Sequence, residues 1–215
     1  MHGEGVYKMS NGDWYDGEFV EGAMEGEGRY TYGEGRGVYV GTMKANEMDG
    51  HGTYECVEDE ELGQSFVYTG DFEKGRMHGI GIMQMSCGDR YEGDFQNGLF
   101  DGEGEYVYAD GSTYKGGWHR GRMHHFGVFQ SPVMERDVET YSGEWKNGKR
   151  HGKGVCEVFD NVTKRRERQE GTWYDGERDG KMVRDYGFGM RTVEEFSRGE
   201  RVAWSVISDK NAPRS

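Results

Sequence analysis

The chain is 215 residues long, with 38 Gly but only 2 Pro, 33% hydrophobic residues and 31% charged ones. Glycine at that level without proline excludes collagen and an ordinary mixed domain, and Tyr, Phe and Trp, 13% together, must supply the buried area in place of a Leu/Ile/Val core. The net charge of −13 is uneven: residues 1–110 hold 7 Lys+Arg against 24 Asp+Glu, a balance of −17, and residues 111–215 hold 20 against 16, a balance of +4, which disfavours nucleic acid as a partner.

Cys56, Cys87 and Cys156 lie far apart with no CxxC pair, as expected in a reducing compartment without a disulfide framework. No apolar run approaches the roughly 20 residues of a membrane span, and no signal-like leader precedes the pattern. The chain reads as soluble and cytoplasmic.

A repeat dominates from the first line onward. "HGEGVY", starting at His2, reads as the second half of a unit. The full template follows as Tyr15, Gly17, Phe19, Gly22, Gly26 and Gly28. It recurs as Tyr39, Gly41, Met43, Asn46, Gly50 and Gly52, then as Tyr68, Gly70, Phe72, Gly75, Gly79 and Gly81, and as Tyr91, Gly93, Phe95, Gly98, Gly102 and Gly104. Tyr114, Gly116, Trp118, Gly121 and Gly127 form the next copy, with His125 in one Gly place, and Tyr141, Gly143, Trp145, Gly148, Gly152 and Gly154 the one after. A weaker copy keeps Gly171, Trp173, Gly176 and Gly180 but has Gln169 for Tyr and Met182 for the last Gly, and a remnant surrounds Phe196 and Gly199.

Tyr, the first Gly and the second aromatic are two residues apart, so an extended strand points all three to one face. The next Gly marks a turn and the closing Gly-x-Gly-x-Tyr alternates likewise, so each copy predicts a β-hairpin. Glycine weakens strands unless something lies over it, and here the neighbouring rings do, as in aromatic rescue of strand glycines. Stacked side by side, the hairpins predict an all-β fold: a single-layer, elongated, twisted antiparallel sheet about 75 Å long at 4.7 Å per strand. Tyr15, Phe19, Tyr39, Tyr68, Phe72, Tyr91, Phe95, Tyr114, Trp118, Tyr141, Trp145 and Trp173 are expected to line an aromatic groove on it.

The unit Tyr-x-Gly-x-(Trp/Phe)-x-x-Gly-x-x-(His/Asp)-Gly-x-Gly resembles the MORN repeat, and "YSGEWKNGKRHGKG", Tyr141 to Gly154, carries it throughout. The resemblance covers nearly the whole chain and implies hairpins in a single-layer curved sheet. Members of that family appear in lipid kinases, junctional proteins and protist cytoskeletal proteins, and a chain made almost wholly of repeats is most similar to the last group. That implies a scaffold of a membrane-apposed cytoskeletal assembly, binding cytoskeletal or membrane-associated proteins, and the repeats with the apolar C-terminal end predict a homodimer.

Two regions depart from the repeat. Residues 1–185 read as the array, and residues 186–215 as a degenerate terminal repeat in which Phe188, Phe196, Val202, Trp204, Val206 and Ile207 gather. An open array must cap or pair its last edge, so this segment reads as a cap, a self-association surface, or both. The dense basic region is Lys149, Arg150 and Lys153 with Lys164, Arg165, Arg166 and Arg168. It reads as a solvated loop or as a contact for anionic phosphoinositide headgroups.

No acid, base and nucleophile converge by spacing, so an enzyme is not expected and no cofactor is implied. His124 and His125 with Cys87 or Cys156 across a dimer contact could hold a metal, but no recognised ligand spacing is present. "GEGRG" at Gly33 lacks the GK[ST] tail of a phosphate loop.

Overall fold

The computed structural model describes residues 2–59, 63–132, 137–187 and 189–208. They fall into two compact units, residues 1–109 and 110–215. The first unit carries β1 (Gly3–Lys8), β2 (Trp14–Val20), β3 (Ala23–Tyr32), β4 (Gly37–Lys44), β5 (Glu47–Asp59), β6 (Gln64–Glu73), β7 (Arg76–Met85), β8 (Arg90–Gln96) and β9 (Leu99–Val107). The second carries β10 (Thr113–His119), β11 (Arg122–Gln130), β12 (Asp137–Lys146), β13 (Lys149–Asp160), β14 (Arg165–Tyr174), β15 (Glu177–Asp185), β16 (Met190–Ser197) and β17 (Glu200–Ser208). Within each unit every strand pairs antiparallel with its neighbours in sequence. The fold is all-β, as the repeat predicts; the described residues contain no α-helix, only a 3-10 turn at Gly33–Gly35.

The turns inside the repeats are two residues long and both residues have positive φ: Glu21 with Gly22, Ala45 with Asn46, Lys74 with Gly75, Asn97 with Gly98, Arg120 with Gly121, Asn147 with Gly148, Asp175 with Gly176 and Arg198 with Gly199. This is the type I′ pattern, whose twist suits a hairpin. Asn46 stands in a Gly place because asparagine tolerates the left-handed region, and its Oδ1 accepts the Met24 N–H at 2.8 Å. The turns also stitch copies together. The N–H groups of Gly75, Gly98, Gly148, Gly176 and Gly199 donate to the carbonyls of Met48, Met77, Met123, Arg150 and Arg178 in the preceding copy, at 2.8 to 2.9 Å.

Tyrosine and glycine form one packing unit. Tyr15, Tyr39, Tyr68, Tyr91, Tyr114 and Tyr141 are all 0% exposed. In the Tyr141 copy, Gly143 pairs with Gly154 across the strands. A Cβ on Gly143 would lie 2.7 Å from Tyr141 Oη, and one on Gly154 2.5 Å from it, so the ring occupies the space the two missing side chains leave.

Just past the first Gly the register shifts by a bulge, between Gly41 and Met43 or between Gly93 and Phe95 for example. A bulge turns backbone groups out of the ladder, and the tyrosine uses one of them. Tyr39, Tyr91 and Tyr114 donate their hydroxyls to the carbonyls of Thr42, Asp94 and Gly117, each at 2.9 Å. Burial raises the hydroxyl pKa of Tyr39 and Tyr91, and that of Tyr141 to about 12, so these three remain neutral donors.

The acids at the bulge have a structural task as well as a solvent-facing position. Asp94 Oδ2 accepts the Glu103 N–H at 2.8 Å, and Glu144 Oε1 accepts the Lys153 N–H at 2.9 Å. A second device closes the opposite side of the hairpins. Buried Asp13 accepts from the Gly33 N–H at 2.7 Å and the Tyr30 hydroxyl at 2.6 Å, and Asp89 repeats it with Ala109 N–H at 2.8 Å and Tyr106 at 2.5 Å.

Candidate functional site

The twelve aromatics expected to line a groove form a filled layer, none more than 7% exposed. Their rings meet edge to face, the geometry that the aromatic quadrupole favours. Tyr68 touches Phe72 of its own copy at 5.1 Å and Phe95 of the next at 4.8 Å. In the second unit Tyr114 touches Trp118 and Trp145, and Tyr141 touches Trp145 and Trp173, all with centroids 5.1 to 5.3 Å apart. The six tyrosine rings have no surface left for a partner.

Three other sets of residues are candidates for contacts. The first is β17, an edge strand whose pairing among the described residues is with β16. Val202, Trp204, Val206 and Ile207 are 62%, 61%, 59% and 43% exposed, whereas Phe196 is buried under the Arg178 guanidinium, 4.3 Å from its ring centroid. Phe188 lies outside the described residues. The last hairpin is out of step with the others. The regular register would set Glu194 opposite Ser205, but Glu194 faces Trp204 and Thr192 faces Val206. A one-residue slip changes which side chains share a face, and here it puts Trp204 and Val206 on the face of Glu194 and Thr192.

The second set is the basic stretch. Strands β13 and β14 bring it together with acids: Arg166 meets Glu157 at 3.0 Å, Arg168 meets Glu170 at 2.7 Å, Lys149 meets Asp175 at 2.7 Å, and Arg150 pairs with Glu139. Lys164 lies 5.9 Å from the Phe159 ring centroid, and Lys153 is exposed. Arg165 and Arg166 border a cleft of about 670 Å³, but Asp137, Asp160 and Glu167 line it too. The four cations held by carboxylates lose much of the field that clustered lysines and arginines would otherwise offer an anionic surface.

The third set is absent from the sequence reading. Nine residues after the template Tyr, the copies place Met24, Met48, Met77, Phe100 and Met123, and then Arg150, Arg178 and Arg201. Each pairs across the hairpin with the second aromatic or its equivalent, Phe19 with Met24 in the first copy and Trp145 with Arg150, Trp173 with Arg178 and Phe196 with Arg201 in the last three. The change from apolar to Arg at one repeat position is visible when the copies are aligned on their tyrosines. Arg150 stacks on Tyr141 with its Cζ 4.7 Å from the centroid.

The histidines come together without forming a metal centre. His119, His124 and His125 lie near one turn, with ring centroids 5.6 Å apart for the first pair and 4.7 Å for the second. No group of three or more His, Cys, Asp or Glu among the described residues is placed to hold a metal ion. His125 keeps the positive φ, 60°, of the Gly it replaces. Among the described residues no helix is long and apolar enough to cross a membrane.

Comparison with known proteins agrees with this geometry. The MORN repeat matches residues 1–14, 15–36, 39–58, 68–90, 91–113, 114–133, 141–157 and 170–181. The chain is similar to MORN repeat-containing protein 3 of Xenopus laevis, 36% identical over 77 residues, which cover 35% of this chain and 32% of that protein. It is also similar to Alsin of Rattus norvegicus, 31% identical over 78 residues, 36% of this chain and 5% of that protein. The match thus spans about a third of the first relative's length and a small fraction of the second's. With matched copies from its first residues to residue 181, the chain belongs to the MORN-repeat family.

Proposed function

We propose that this repeat protein is a non-enzymatic scaffold that self-associates through β17 and holds protein partners in a membrane-apposed cytoskeletal assembly. The observation that carries the reading is the edge of β17. Natural edge strands are blunted with Lys, Pro or short length, whereas β17 runs nine residues with no charge between Arg201 and Ser208 and with Trp204 and Val206 in solvent. A second copy placed antiparallel would satisfy that edge by a two-fold contact. Light scattering on the full chain tests it: a dimer mass is expected, falling to the monomer when Trp204 and Val206 both become Lys. A monomeric wild-type chain at tens of micromolar would sink the proposal.

A second reading, attachment to phosphoinositide headgroups, draws on the cleft beside Arg165 and Arg166. Cosedimentation with phosphoinositide vesicles at physiological salt tests it. Pelleting that is lost in an Arg165→Glu, Arg166→Glu variant supports it, and a chain that stays in the supernatant removes it.

A further inference from the structure

The arginines of the last three copies have a chemistry that the packing of the sheet does not require. At the same register position Met24, Met48, Met77 and Met123 need no charge, and a methionine fills irregular gaps well. Arg150, Arg178 and Arg201 stand on β13, β15 and β17, each opposite an aromatic on the adjoining strand. Two of them have carboxylates: Arg150 pairs with Glu139, and Arg201 lies 3.4 Å from Glu194, which is itself only 2% exposed. The middle one, Arg178, has no carboxylate within ion-pair distance among the described residues and rests on the Phe196 ring.

Between Arg150 and Arg178 lies a recess of about 320 Å³ that Cys156, Gln169, Trp173 and the Glu177 carboxylate also line. Gln169 stands where the six regular copies set a tyrosine ring. Guanidinium groups border the recess on two sides, with the Glu177 carboxylate beside Arg178.

Spacing narrows the occupant. Successive arginines of the row are two strands apart, about 9.5 Å at the usual interstrand distance. A polyproline II segment brings every third residue to the same side after about 9.3 Å. An extended β-segment alternates sides and repeats at about 6.6 Å or 13 Å, and an α-helix returns a residue to one face after about 10.5 Å, seven residues on. The planar, forked guanidinium suits a carboxylate better than a diffuse anionic surface does.

We propose that Arg150, Arg178 and Arg201 form a docking row for an acidic protein segment in polyproline II conformation, with carboxylates at every third position. Arg178 is the principal contact because its guanidinium pairs with no carboxylate among the described residues. The row extends the scaffold reading to a named chemistry of partner. It does not depend on self-association through β17, which light scattering on the same sample reads separately.

The test is fluorescence anisotropy of the full chain with a fluorescein-labelled (Glu-Pro-Pro)5 peptide at low ionic strength, beside an isomer whose five glutamates are contiguous. The periodic peptide is expected to bind about tenfold more tightly than the block isomer. Arg178→Met, which installs the residue of the earlier copies, is expected to weaken it about tenfold with the melting temperature preserved. Arg178→Lys, which keeps the charge and loses the fork, is expected to fall between, and it serves if the methionine variant fails to fold. Equal binding of the two peptides, no binding of either, or unchanged affinity in a folded Arg178→Met variant would overturn the proposal. So would phosphoinositide vesicles that bind through Arg178 while the periodic peptide does not.

Discussion

Met182 on β15 sets its sulfur where a side chain on Gly171 of β14 would begin. In the six regular copies a tyrosine ring fills the equivalent space, and in this copy the tyrosine is Gln169. The two departures are therefore one exchange: the facing glycine has become the filler, and Met182 is 1% exposed.

The exchange can be built elsewhere. Gly154→Met alone is expected to destabilise the second unit by about 3 kcal/mol through overpacking against Tyr141. Tyr141→Gln alone costs a similar amount, roughly 3 kcal/mol, by leaving a cavity. The double variant is expected to recover at least about 1 kcal/mol relative to the sum. Urea denaturation of the three variants measures this, and strictly additive losses would refute the exchange.

Two glycines of one copy separate steric from backbone cost. A Cβ on Gly154 meets the Tyr141 ring, whereas one on Gly148, φ 81°, meets open space. Gly148→Ala is expected to cost about 1 to 2 kcal/mol, the penalty of a left-handed residue, and Gly154→Ala distinctly more. Equal shifts in melting temperature would remove the steric argument for the Tyr–Gly pair.

Asp13 closes the first hairpin through four groups: the Gly33 N–H, the Tyr30 hydroxyl, the Asn11 amide and Arg36, the last at 3.2 Å. The Gly33 N–H and then the Tyr30 hydroxyl hold its carboxyl below the usual carboxylate range, with smaller help from Asn11 and Arg36. A depressed folded pKa gives stability that is present above the unfolded value near 3.8 and lost as pH falls through the folded one. Asp13→Ala is expected to cost about 2 kcal/mol by leaving donors unpaired, and to flatten stability below about pH 4 relative to wild type, as acid titration by circular dichroism would record.

His124 titrates in the opposite charge sense. Burial, then His125, His119 and Lys146, lower its pKa below 6.5, and its Nδ1 accepts the Asn147 N–H at 3.3 Å. The unfolded chain binds that proton first, so the contribution is present above the unfolded value near 6.5 and lost as pH falls toward the folded one. The melting temperature is expected to drop between about pH 7.5 and 5.5, and less in His124→Gln. The same drop in both proteins would assign the effect to other groups.

The hairpins, their copies and the burial of Tyr141 or Trp145 were legible in the sequence because ring and glycine recur at strand spacing. The bulge was not. It is a main-chain displacement whose marker, the residue three after each Tyr, is Glu18, Thr42, Asp71 or Gly117 in different copies. Reading the rings as a groove missed how far they close on one another: Tyr68 fits between Phe72 and Phe95, a long-range fit that composition does not encode. The acids opposite the basic stretch were likewise hidden by register, since Glu139 reaches Arg150 only once β12 and β13 are aligned.

The tyrosine chain of the second unit stops at Trp173, and beyond it the last hairpins are held by Met182, by Arg201 with Glu194, and by Arg184 with Glu167. Under tension from its C-terminal strand the unit would therefore part like a zip with its weakest teeth at that end. Strands β17 and β16 yield first, and force rises only when the ring-locked copies are reached. Ion pairs stand in for rings there, and because Glu194 is only 2% exposed, dissolved salt loosens those first teeth little.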